Sequence, residues 1–162
     1  MDQFNRFLER LAELDVDYEV YTSSADVEGE LRYIAKAYEE EPEEITELLA
    51  ELRAPLQPPL YNLTIYYPIS RRGEIPPTPA VYASPRPITP ADIMDSINAF
   101  YETPLNQENI DAYIRLNPEY IDLNEPILRT PIMGGPKLRD VILGSPTSLR
   151  PYQDGYLLQL SW

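Results

Sequence analysis

Ile88-Thr89-Pro90-Ala91-Asp92-Ile93, continuing as MDSINAFY to residue 101, holds a full helix-start signature in one place. Thr89 is the expected N-cap, Pro90 the first helical residue and Asp92 the third, while Ile88 and Ile93 are spaced for a hydrophobic staple. The helix so started would bury Ile93, Ile97, Phe100 and Tyr101. It should stop before Thr103-Pro104, because the residue before proline avoids helical geometry.

A helix with one apolar face needs a surface to cover, and the flanking sequence offers strands. Upstream, Leu60–Tyr67 (LYNLTIYY) is rich in β-branched and aromatic residues. Leu63, Ile65 and Tyr67 would share one face of it, with Pro68 ending the strand or marking an edge. Downstream, Leu149–Tyr152 and Tyr156–Leu160 flank Gln153-Asp154-Gly155, a hairpin signal. Tyr156, Leu158, Leu160 and Trp162 would face the core together. The implied fold class is α+β, with a small, mostly antiparallel sheet and packed helices.

Residues 55–90 hold ten of the 18 prolines. The segment 74–87 (EIPPTPAVYASPRP) should run as an extended polyproline-like arm within residues 68–88. Beyond the central helix, Asn106 should cap a short helix ending at Asn117-Pro118. Residues 118–136 read as irregular, and 138–143 as a helical turn.

The N-terminal third differs. Residues 1–55 carry 16 acidic and 5 basic side chains, against 11 and 8 in residues 56–162. Phe4, Phe7, Leu8 and Leu11 recur at helical spacing over 2–14, and Val27, Leu31 and Ile34 do so after a serine cap at 23 or 24. Pro42, Glu43 and Glu44 open a third helix with Ile45, Leu48, Leu49 and Leu52 on its buried side. Residues 16–21 (VDYEVY) alternate and read as a short strand. Residues 1–55 are thus expected to be an acidic helical appendage to a compact domain at 56–162.

Composition excludes several kinds of chemistry. The chain has no histidine and no cysteine, which removes the commonest acid–base group, the thiol nucleophile and the two commonest transition-metal ligands. The net charge of −14 opposes binding to nucleic-acid phosphates and to anionic membrane surfaces. No apolar run approaches the roughly 18 residues of a membrane span. The N-terminus lacks a secretory pattern, so an intracellular, soluble protein is expected.

The remaining motifs have structural readings available. Asp15, Asp17, Glu19, Ser23 and Asp26 match calcium-loop positions, but Val20 stands where glycine is required. The pairs Asp92/Asp95 and Glu108/Asp111 lie on helix surfaces, and Asp92 has a capping duty. There is no phosphate-cradling glycine loop. No cofactor or metal is expected. The candidate protein-interaction residues are the acidic run Glu39, Glu40, Glu41, Glu43 and Glu44, together with Pro76, Pro77, Pro79 and Tyr82 on the arm.

Two segments carry a resemblance. PITPADIMDSINAFYETPLNQENI and LRDVILGSPTSLRPYQDGYLLQLSW are similar, in that order, to patterns of an uncharacterised domain family. That family is shared by large nucleocytoplasmic double-stranded DNA viruses and fungi. Thr89, Asp92, Ile93, Ile97, Tyr101, Pro104 and Leu105 match the first pattern. Arg139, Asp140, Gly144, Leu149, Arg150, Pro151, Tyr152, Gly155 and Tyr156 match the second. Pro90 departs from the first and Ser145-Pro146 from the second. The resemblance covers about residues 60–162 and implies a compact α+β domain of viral origin, with no established reaction. The function expected is a non-enzymatic structural or protein-interaction protein. Its most concrete form is a minor virion or capsid-associated component, with self-association or capsid proteins as partners. It would reside in the host cytoplasm, the virus factory or the virion. The alternative is an infection-phase regulator that binds a host or viral protein through the acidic N-terminal helices. A hydrolase working through carboxylates and tyrosines is the third reading.

Overall fold

A computed structural model describes residues 1–37, 42–70, 75–104, 137–142 and 144–161. Three helices come first: α1 (Asp2–Glu13), α2 (Ser24–Ala37) and α3 (Pro42–Leu52). Two strands, β1 (Asn62–Tyr67) and β2 (Thr78–Ala83), precede α4 (Pro90–Tyr101). The short α5 (Leu138–Val141) and the strands β3 (Ser145–Tyr152) and β4 (Gly155–Ser161) close the chain. The sheet order is β2-β1-β4-β3. Both outer pairs are antiparallel, and the central pair β1–β4 is parallel. This is the expected α+β architecture.

α4 starts as its sequence requires. The Asp92 N–H donates to Thr89 Oγ1 at 3.2 Å and the Thr89 N–H donates to Asp92 Oδ2 at 2.9 Å, a reciprocal capping box. Ile88 and Ile93 are both fully buried. The Ile88 N–H donates to Leu60 O at 2.7 Å, and the Tyr101 hydroxyl donates to Pro68 O at 2.8 Å. These two bonds pin the ends of α4 to the two ends of β1, so the helix runs alongside that strand in the same direction. Ile93, Ile97 and Tyr101 belong to one core with Leu63, Ile65 and Tyr67.

Residues 1–55, set apart by charge, are not set apart by packing. Phe4, Phe7, Leu11, Val27, Leu31, Leu48 and Leu52 lie in the same hydrophobic core as the sheet and α4. Asp95 of α4 accepts from the Ser24 N–H and Oγ–H, both at 2.8 Å, and so ties α4 to the start of α2. α2 is also capped by Ser23, whose Oγ accepts from the Asp26 N–H at 3.2 Å. The short strand expected over 16–21 does not form. Val16, Tyr18 and Val20 are buried and Asp17 is exposed, so the alternation is real. Its backbone, however, meets the sheet through the Val20 N–H bond to Gly144 O at 3.0 Å.

The proline arm is corrected in its middle. Thr78–Ala83 is an edge strand, antiparallel to β1 with Tyr66 opposite Pro79 and Leu63 opposite Tyr82. The Ser84 N–H donates to Tyr61 O at 2.9 Å. By antiparallel alternation the bonded pairs are then Leu63/Tyr82, Ile65/Ala80 and Tyr67/Thr78. Pro79 falls between them, with its missing N–H directed away from the sheet, where a proline costs no ladder bond.

The hairpin also differs in one detail. The turn consists of Gln153 and Asp154, and Gly155 opens β4 opposite Tyr152. Gln153 takes the left-handed conformation, φ 47°. Gly155 is required for another reason: a Cβ there would lie 2.4 Å from the Thr64 carbonyl oxygen of β1. The short helix capped by Asn106, the irregular stretch 118–136 and Trp162 lie outside the described residues.

Gly155→Ala should therefore destabilise the protein by about 3 kcal/mol, the upper range for forcing atoms into a closed space. Thr89→Ala should cost about 1 kcal/mol through loss of the cap. Urea unfolding measures both. A Gly155→Ala cost no greater than that of Thr89→Ala would contradict the close β1–β4 approach.

Candidate functional site

The two edges of the sheet are treated differently. On β3, the Asn5 side chain of α1 acts as a substitute strand. Its Nδ2 donates to Leu149 O at 3.0 Å and its Oδ1 accepts from the Leu149 N–H at 2.8 Å. Near the start of β3, Glu19 accepts from the Ser145 hydroxyl at 2.9 Å. Pro151 of β3 has no donor to offer. This edge is closed by a helix, a loop and a proline, the usual devices against unwanted pairing.

β2 has only a proline, Pro79, and neither helix nor loop cover among the described residues. With the bonded pairs assigned above, the N–H and C=O groups of Val81 and Ala83 point outward, as does Pro79 O. No described residue bonds to them. Val81 is 69 % exposed. The strand TPAVYA carries no charge, so it lacks the charged side chains that commonly protect an edge.

Beside this edge lies a groove of about 490 Å³. Its floor is apolar: Ala80 and Tyr82 of β2, with Tyr67 stacked on Phe100 at 4.0 Å between centroids and 9° between planes. Its far wall is α4, presenting Asp92, Asp95, Ser96 and Ala99. Because α4 runs with β1 and against β2, the two carboxylates stand at the Tyr82 end and the aromatic pair at the Ala80 end. Among the described residues no Lys or Arg lines the groove.

The expected site residues separate accordingly. Tyr82 and Pro79 sit at this edge, while Pro76 and Pro77 precede it as non-strand backbone. Glu39, Glu40 and Glu41 lie outside the described residues. Glu44 is 3.9 Å from Arg10, which also binds Glu47 at 3.1 Å and Glu51 at 2.9 Å. Three α3 carboxylates are therefore drawn to Arg10 of α1 at the surface. Glu28 is held below its ordinary pKa by hydrogen bonds from Arg53 and Arg32. Several of the residues that carry the family resemblance have structural duties. Arg139 pairs with Glu102 at 3.0 Å, Gly144 receives Val20, and Tyr152 packs edge-on against Tyr66 at 4.9 Å. Leu149 is buried and receives Asn5, Arg150 is exposed, and Tyr156 packs against the core. The Asp140 side chain lies outside the described residues.

The pair Asp92/Asp95, expected as an ordinary solvated pair, is brought to one groove wall. Both carboxylates are already committed, Asp92 to the Thr89 N–H and Asp95 to Ser24. The calcium-template residues do not converge: Val16 and Val20 turn inward between them. Among the described residues no group of three or more carboxylates is placed to hold a metal ion, and no helix is long and apolar enough to cross a membrane. Reading the sequence alone missed Asn5, Val81 and the tie of Asp95 to Ser24. Only the strand register and the position of Ser24 reveal them.

Removing the edge cover should show its worth. Asn5→Ala leaves Leu149 without partners and should cost about 2 kcal/mol, with greater self-association seen in sedimentation. Unchanged stability would deny the Asn5 bridge. Elsewhere, Tyr18 is buried and its hydroxyl has no partner among the described residues. Burial, then the nearby Tyr67 and Asp95, raises its pKa well above 10, and burial likewise raises that of Tyr67. Since both are raised in the fold, their contribution is whole below about pH 10, the unfolded value, and is lost as pH climbs beyond it. Tyrosinate absorbance and near-UV dichroism should report their ionisation together with unfolding. Tyr18→Phe should be neutral or stabilise by about 1 kcal/mol; a comparable loss would mean that the hydroxyl is satisfied. Against known protein families, curated proteins and solved structures, the chain shows no match.

Proposed function

We propose that this chain is a non-enzymatic interaction protein that works by holding other proteins, and that the β2 edge with its adjoining groove makes the contact. One observation carries the reading: a sheet with one edge covered in detail by Asn5 has a second edge that is uncharged, uncovered among the described residues and beside an apolar groove. Edge strands are liabilities that folded chains ordinarily blunt. An edge kept open next to a groove has the form of a contact surface.

Carboxylate chemistry fits less well. Asp92 and Asp95 cap helices, Glu102 binds Lys137 at 2.6 Å, and Glu28 and Arg10 are tied into ion-pair networks. Docking through the acidic α3 face is weakened for the same reason, since Arg10 occupies three of its carboxylates. Within the viral setting implied by the resemblance of residues 60–162, the concrete form of this reading is a minor virion or capsid-associated component.

Mass spectrometry of purified particles should find the chain at a constant ratio to the capsid protein. Cross-links to its neighbours should map to β2 and α4. Repeated absence from particles would end the virion version. Cross-links confined to residues 1–55 would move the contact to the acidic helices.

A further inference from the structure

We infer that the β2 edge and the groove beside it take an extended basic segment of another protein, added as a fifth strand, with a basic and an apolar residue two positions apart. This rests on the interaction reading above and names the partner chemistry for that site.

The backbone supplies the first part. Val81 and Ala83 direct N–H and C=O groups outward, so an incoming extended chain finds two donor–acceptor pairs in strand register. Pro79 offers only its carbonyl, which limits the useful edge to the Val81–Ala83 end. Antiparallel pairing is the commoner choice.

Side chains supply the second. In an added strand, alternate residues share the face of Ala80 and Tyr82 and so point at α4. From Asp92 to Ala99 the helix rises by roughly 10 Å, about three strand residues. Two groove-facing side chains, at i and i+2, therefore span it. At the Tyr82 end a side chain meets Asp92 and Asp95; at the Ala80 end it meets Tyr67 and Phe100. For a strand antiparallel to β2 the order is basic, any residue, apolar.

Charge decides the occupant. The two carboxylates face a groove that no Lys or Arg lines among the described residues, in a chain of net charge −14. A lysine or arginine reaching them is favoured both on approach and in place. A second copy of this chain is disfavoured, because its own edge, TPAVYA, brings no cation and its net charge repels. Asp92 and Asp95 remain capping residues; the incoming cation adds to their hydrogen bonds and replaces none.

The test uses the full chain and a fluorescein-labelled peptide of about twelve residues that repeats Lys-Thr-Val-Thr, so that one face alternates lysine and valine. Fluorescence anisotropy should show saturable binding, weakened at least tenfold when glutamate replaces lysine, and weakened by added salt. Val81→Pro removes an outward donor without touching the β1 ladder and should weaken binding at least tenfold at unchanged stability. Ala99→Arg, on an exposed helix position, should do the same by filling and recharging the groove. If Val81→Pro proves unstable, Ala99→Arg alone decides. Equal affinity for the glutamate peptide, or binding unaffected by both variants, would overturn the inference. So would no binding, while particle cross-links to β2 would leave the broader interaction reading standing.

Discussion

The sheet depends on a narrow seam. β1 and β4 run parallel through two registered pairs, Ile65 with Tyr156 and Tyr66 with Leu157. They can do so because Gly155 leaves room for the Thr64 carbonyl. Each strand brings an antiparallel neighbour, β2 to one side and β3 to the other. The seam therefore decides which strands become edges. It also sets the apolar face of β1, over which α4 is stretched by its bonds at Leu60 and Pro68. The Tyr66 hydroxyl, which donates to Asp154, ties the hairpin turn to the middle of β1 and raises the Tyr66 pKa.

Once the edges are set, their difference follows from what packs beside them. α1 reaches β3, where Asn5 satisfies both polar groups of Leu149. α4 stands off from β2 far enough to leave a groove, held at its Asp95 end by the bond to Ser24. The acidic helices thus serve the sheet twice. They close one edge, and they fix the wall that faces the other. Their charge is partly consumed in the process by Arg10, Arg32 and Arg53.

Much of this was legible in the sequence wherever the signal was local. The capping box at Thr89 and Asp92, the buried face of Leu63, Ile65 and Tyr67, the three N-terminal helices and the hairpin all rest on residues within a few positions of one another. What was not legible needed a partner from far along the chain. Prolines made 74–87 look unfit for pairing. Yet Pro79 is harmless once its N–H side faces outward, and that register depends on β1. VDYEVY alternates as a strand does, but its neighbouring edge is already taken by Asn5 at the centre. Asp95 looked solvated because Ser24, its partner, lies 71 residues away. The glycine of the turn was noticed, but for the wrong neighbour: Thr64 demands it, not the turn.

Amide hydrogen exchange tests the central asymmetry directly, one closed edge and one open. The Leu149 N–H, bonded to Asn5, should exchange slowly, at a rate close to that of core strand amides. The Val81 and Ala83 N–H groups, one strand from the core on the other side, should exchange near the rate of an exposed chain. Slow exchange at Val81 and Ala83 in the isolated protein, or fast exchange at Leu149, would contradict the assignment of the edges.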